Sequence, residues 1–170
     1  MVLKRTGFGA ALFGSVLALL HLSPGVITEW MLAADDPLPV GNSLGESVVI
    51  VRSLLDAGAF AVGFGGVFLL GYWAGSRVML RHRYRQLLAT LGVGGALGYV
   101  LVLVLFLSYS ALAGGDLPDV TGGVTSLLVF AGRATAITVQ FAVVGIAGAS
   151  IAELMGGSSR PAGPSAGRSE

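Results

Sequence analysis

The chain has 170 residues, of which 54% are apolar and only 11% charged, with a mean hydropathy of +0.84; a soluble domain carries about 25% charged residues, so this composition cannot build a water-facing surface. The net charge of +1 leaves no basic face for nucleic acid. With no cysteine, disulfides, thiolate zinc sites, iron–sulfur clusters and c-type haem attachment are excluded within the chain, and one lysine among abundant Arg, Ala, Gly and Val suggests a GC-rich prokaryotic genome.

The apolar residues gather into blocks near the length of about 20 residues that a hydrocarbon core of about 30 Å demands of a helix rising 1.5 Å per residue. The first runs from Gly7 to about Leu22 behind Lys4 and Arg5, the outline of a secretory signal. No A-x-A site follows His21, Ser23 and Pro24, and the block extends through Val26 and Ile27. It reads as an uncleaved anchor spanning about 7–27, a removed signal being the alternative. The next segment, 28–56, is mixed, with Glu29, Asp35, Asp36, Glu46 and Asp56 against Arg52. Ser23 and Pro24 suit an N-cap and first helical turn, which predicts a separate short helix over Val26 to Ala34, lying in the headgroup region where Trp30 is favoured.

Ser43-Leu44-Gly45-Glu46 fits the capping-box pattern, in which serine and glutamate satisfy each other's free backbone donors, and predicts a helix starting at Leu44. Leu44, Val48, Val51 and Leu55 make its first turns amphipathic before the apolar run that forms a second span over 57–75. The charged stretch Arg77, Arg81, His82, Arg83 and Arg85 separates this from a third span, 87–113. Gly114, Gly115, Asp116, Pro118 and Asp119 form the next turn, and a fourth span covers 133–154, interrupted by Gln140 and bordered by Arg133. Residues 1–155 thus form one four-helix transmembrane domain, and 156–170 read as a disordered cytoplasmic tail.

Orientation follows from lysine and arginine, which resist translocation. Four spans collect Lys4, Arg5, Arg77, Arg81, Arg83, Arg85, Arg160 and Arg168 on one side, and Glu29, Asp35, Asp36, Glu46, Asp56, Asp116 and Asp119 on the other with Arg52. That segregation favours four spans over three or five and puts both termini in the cytoplasm, in a multi-pass protein of the cell membrane.

Arg133 is the first residue to weigh, because an ionisable group at mid-bilayer costs at least about 2.5 kcal/mol. It lies roughly 31 Å before Leu154 along a helix, hence at the outer interface, where it reads as an anchor; a partner for Gln140 or an outer-loop acid is the alternative. Gln140 sits deeper and reads as a hydrogen-bonding link between helices, or as part of a polar path. His21 near Glu29, Asp35 and Asp36 lacks metal-ligand spacing, and His82 lies in the charge cluster, so no metal and no bis-His haem is expected. Arg77, Arg81, Arg83 and Arg85 are candidates for contact with anionic lipid, although a topology signal alone accounts for them. Small-residue steps at Gly71/Gly75, Gly94/Gly98, Gly132/Ala136 and Gly145/Ala149 allow close helix approach. No Gly-Lys-Ser/Thr ending and no H-E-x-x-H occurs, and Gly92 to Gly98 only superficially suggests a dinucleotide loop, since no strand precedes it.

The expectation is therefore an all-α polytopic integral membrane protein: a four-helix bundle with a surface helix in its first outer loop, no cofactor and no catalytic residues. Its partners would be the lipid bilayer and a membrane protein or further copies of itself. Such a chain acts as a non-enzymatic accessory or assembly subunit or a small homo-oligomer. The alternative is a small-solute transporter or channel in which Arg133 and Gln140, with Thr135, Thr138 and Ser108, face a path.

Overall fold

The computed structural model describes residues 2–34, 43–77, 80–112 and 123–157. A long apolar segment in lipid must satisfy its own backbone donors and acceptors, and a helix does so within the segment. The described residues are helical almost throughout: α1 (Val2–Ala34), α2 (Leu44–Phe60), a six-residue π-helical segment (Ala61–Gly66), α3 (Val67–Gly75), α4 (Leu80–Leu112) and α5 (Gly123–Gly157). With α2, the π segment and α3 joined end to end, four helices are long and apolar enough to cross a membrane: Val2–Met31, Leu44–Gly75, Arg83–Tyr109 and Ala131–Gly156. Asp35 and Asp36, the turn from Gly114 to Asp119, and the tail from 158 with Arg160 and Arg168 lie outside the described residues.

One expectation is corrected. The separate surface helix expected over Val26 to Ala34 is instead the end of α1, which continues unbroken through Ser23 and Pro24 to Ala34. Proline has no N–H for the carbonyl four residues back. The Ser23 hydroxyl supplies the missing donor, reaching the Leu20 carbonyl at 3.1 Å, and the Thr28 hydroxyl donates to the Pro24 carbonyl at 2.6 Å. Trp30 is thus 63% exposed on the last turns of a long first helix. The charged stretch that separates the second and third spans opens the next helix: α4 starts at Leu80 and carries Arg81 to Arg85 in its first turns, residues that are mostly good helix formers. The Leu44 start holds, with the Glu46 N–H donating to the Ser43 hydroxyl oxygen at 3.3 Å.

Glycine sets the packing. An added Cβ at Gly14 would strike the Gly95 carbonyl, and one at Gly98 the Ala11 carbonyl, so α1 and α4 touch backbone to backbone. Ser15 reinforces this contact by sharing its hydroxyl between the carbonyls of Ala11 (3.0 Å) and Gly98 (3.1 Å). A Cβ at Gly71 would strike the Gly145 carbonyl, and one at Gly75 would lie 2.5 Å from the Cα of Ala149, so α3 and α5 form a second such pair. Two small-residue steps foreseen separately thereby pack on each other. Residue numbers rise together in both pairs, which makes each pair parallel. The pairs join where Phe141 lies over Gly95, Leu91 over Gly145 and Phe13 over Gly66. Leu17, Val67, Leu87, Leu91 and Phe141 are buried along this seam.

This register sorts the charges by end. Gly7 meets Thr90 and Gly9 meets Leu70, so exposed Lys4, Arg5, Arg77, Arg83 and Arg85 share one end of the bundle, with Glu153 the acid beside them. Gly58 meets Leu20 and Gly63 meets Leu17, so Glu29, Glu46, Asp56, Arg52 and Arg133 belong to the opposite end.

Candidate polar site at the acidic end

Four helices contribute to a polar group in the acidic half of the bundle, with His21, Tyr99 and Asp56 about three turns from the ends of their candidate spans. His21 of α1 meets the buried Tyr99 of α4 edge to face, with ring centroids 6.0 Å apart. Asp56 of α2 and Arg133 of α5 are the two charged groups whose fields act on the imidazole. The register explains the convergence: Leu20 packs at Gly58, next to Asp56, and Gln140, two turns along α5 from Arg133, reaches Gly63. His21, Asp56 and Arg133 are each exposed on their helices.

Gln140 occupies the layer below. A Cβ at Gly63 would lie 2.7 Å from its Nε2, so the amide rests on the π segment where only glycine leaves room. Wider π turns occur mostly as local insertions within α-helices, frequently at functional sites. The Gly63, Gly65 and Gly66 cluster supplies a backbone that tolerates one.

Arg133 therefore sits two residues inside the fourth candidate span, near its end, exposed on α5. Arg133 and Gln140 lie on one helix face but in successive layers, each beside a different neighbour. Of the other residues foreseen for a path, Thr135 and Thr138 donate to the carbonyls of Ala131 and Ala134, both at 2.8 Å, and the Thr138 methyl lies against Gly92. Ser108 is exposed on α4. Among the described residues no group of three His, Cys, Asp or Glu could hold a metal ion. In the arginine cluster, Arg77 lies over the Trp73 ring at 4.6 Å, and Arg83 and Arg85 are exposed; the side chains of Arg81 and His82 lie outside the described residues.

Sequence reasoning missed His21, Asp56 and Tyr99 as a set, since they lie on three helices. The usable signal was the helical register, not a local motif. Sequence reasoning also took the G-x-S-x-G spacing of a nucleophile turn to be absent, whereas Gly41-Asn42-Ser43-Leu44-Gly45 has it. Ser43 does not have that turn's strained backbone: its φ of −146° and ψ of 159° are extended, and its hydroxyl caps α2. It also lies roughly 20 Å along the helix from Asp56.

Fold and charge together define an all-helical chain with four helices suited to a multi-pass membrane protein. No protein-family model, curated protein or solved structure matches this chain.

Proposed function

We propose that the chain is inserted in the cell membrane with both termini cytoplasmic and acts without a chemical step of its own, as an accessory or assembly subunit or a small homo-oligomer. The observation that carries this reading concerns small-residue steps. Gly71/Gly75, Gly94/Gly98 and Gly145/Ala149 are all filled within the chain, whereas among the described residues nothing lies within 4 Å of a Cβ placed at Gly132, and Ala136 is exposed one turn on. A flat step open to lipid favours a further helix, because helix association in a bilayer depends on close backbone approach. Purification in mild detergent tests it. A stable partner or a defined oligomer that Gly132→Leu disperses is the expected result; a monomer without partner counts against it.

A second reading, a small-solute path, is favoured by His21, Asp56 and Arg133 lying on three helices at one level, as the register of Leu20 on Gly58 and Gln140 on Gly63 places them. Arg133→Leu and Gln140→Leu would then abolish solute flux in purified vesicles while leaving the bundle folded. Unchanged flux in both variants removes this reading.

A further inference from the structure

The basic end presents more than an excess of charge. Lys4 and Arg5 stand at the start of α1, Arg83 and Arg85 at the start of α4, and Arg77 just beyond α3, all exposed. The close contact of Gly7 with Thr90 brings the first two pairs to adjacent helix ends, although about 80 residues separate them in the chain. The Arg77 guanidinium lies 4.6 Å from the Trp73 ring centroid, which fixes one cation at the level of an indole, the side chain most favoured at a membrane–water boundary. Directly inside this band, Phe8 is 73% exposed and Leu69 65%.

We propose that this end is a binding surface for anionic phospholipids, with phosphate held by Lys4, Arg5, Arg83 and Arg85 and acyl chains lying on the exposed apolar side chains next to them. The juxtaposition selects the ligand. A soluble polyanion would match the cations but would have no use for the apolar band, and a neutral lipid would match the band but leave the cations unpaired. A phospholipid with net negative charge satisfies both within one molecule. Basic groups gathered between helix ends recognise such headgroups, and each acts within about a Debye length of the surface. A topology signal requires only the number of basic residues on a side. It does not require that α1 and α4 bring theirs together, or that an aromatic ring hold Arg77 at the boundary.

The proposal rests on membrane insertion, and Trp fluorescence separates the two claims. The chain has two tryptophans, so Trp30→Phe leaves Trp73 as the sole reporter at the basic end. This variant is reconstituted into phosphatidylcholine vesicles containing increasing fractions of brominated phosphatidylcholine or brominated phosphatidylglycerol, whose bromines quench an indole on contact. Trp73 is expected to be quenched by both, with an apparent affinity on the order of tenfold higher for the anionic lipid. Added salt should erase the difference. So should Lys4→Gln, Arg5→Gln, Arg83→Gln and Arg85→Gln combined, whereas Arg52→Gln at the opposite end should preserve it. Equal quenching by the two lipids, or a preference that survives both salt and the quadruple variant, overturns the lipid site. Quenching by neither overturns the membrane reading beneath it. The salt series keeps the test decisive if the quadruple variant fails to fold.

Discussion

At Gly71 the difference between glycine and any other residue is a direct collision with the backbone of the facing helix, since a Cβ there meets the Gly145 carbonyl. A backbone cannot swing aside, so Gly71→Val should force α3 and α5 apart and cost about 1–3 kcal/mol, the usual range for overpacking. Gly9→Ala meets only the Leu70 Cδ1 at 2.9 Å, the far end of a flexible side chain, and should cost less. Gly132→Ala meets nothing within 4 Å among the described residues and should stabilise the isolated chain by up to about 1 kcal/mol through helix propensity. Thermal unfolding of the three variants in detergent, followed by circular dichroism, should rank them in that order; equal shifts would mean that the glycine contacts do not set the packing. Gly63 and Gln140 form a related pair with a different remedy. Gly63→Ala crowds the amide at 2.7 Å, and shortening Gln140 to alanine should relieve part of that penalty, a coupling of about 0.5–3 kcal/mol in a double-mutant cycle.

At the scale of an element, α1 shows how a local signal can have two solutions. Ser23 before Pro24 can cap a new helix or repair an existing one, and both use the same hydroxyl. Lipid decides between them, because a carbonyl left without a donor costs several kcal/mol there. Repair keeps the Leu20 carbonyl satisfied. Ser23→Ala should therefore destabilise α1 by about 1–3 kcal/mol, and Pro24→Ala, which restores a backbone N–H, should make the serine dispensable. If Ser23→Ala is equally harmful with and without the proline, the repair is not what the serine does. The capping box at Ser43 was legible because its partners lie within one turn of each other. The π segment was not: its three glycines are visible in the sequence, but the Gln140 amide that rests on Gly63 comes 77 residues later on another helix. The polar site shares this property. Arg133 stands out by type alone, while His21 and Asp56 become its neighbours only through the register that the glycine contacts impose.

In the whole molecule, the sequence reading and the fold reach charge segregation by independent routes. One sorts basic residues by the side on which four alternating spans would place them. The other follows contacts such as Gly7 on Thr90 and Gly58 on Leu20, which place Lys4, Arg5, Arg77, Arg83 and Arg85 at one end and Glu29, Glu46 and Asp56 at the other. The second route does not refer to a membrane, and the two agree on a rod of apolar surface with basic residues toward one end and acidic residues toward the other. Retention of lysine and arginine then predicts that the basic cap faces the cytoplasm. The chain has no native cysteine, so single cysteines give an unambiguous readout. In intact cells a membrane-impermeant maleimide should label cysteine at position 29 or 46 and leave position 83 unlabelled until the cells are opened. Labelling of 83 alone would invert the molecule without disturbing its helix packing. Labelling of both 29 and 83 in intact cells would be incompatible with α1, α2 and α3 together crossing the membrane twice, and the four-span architecture would have to be abandoned.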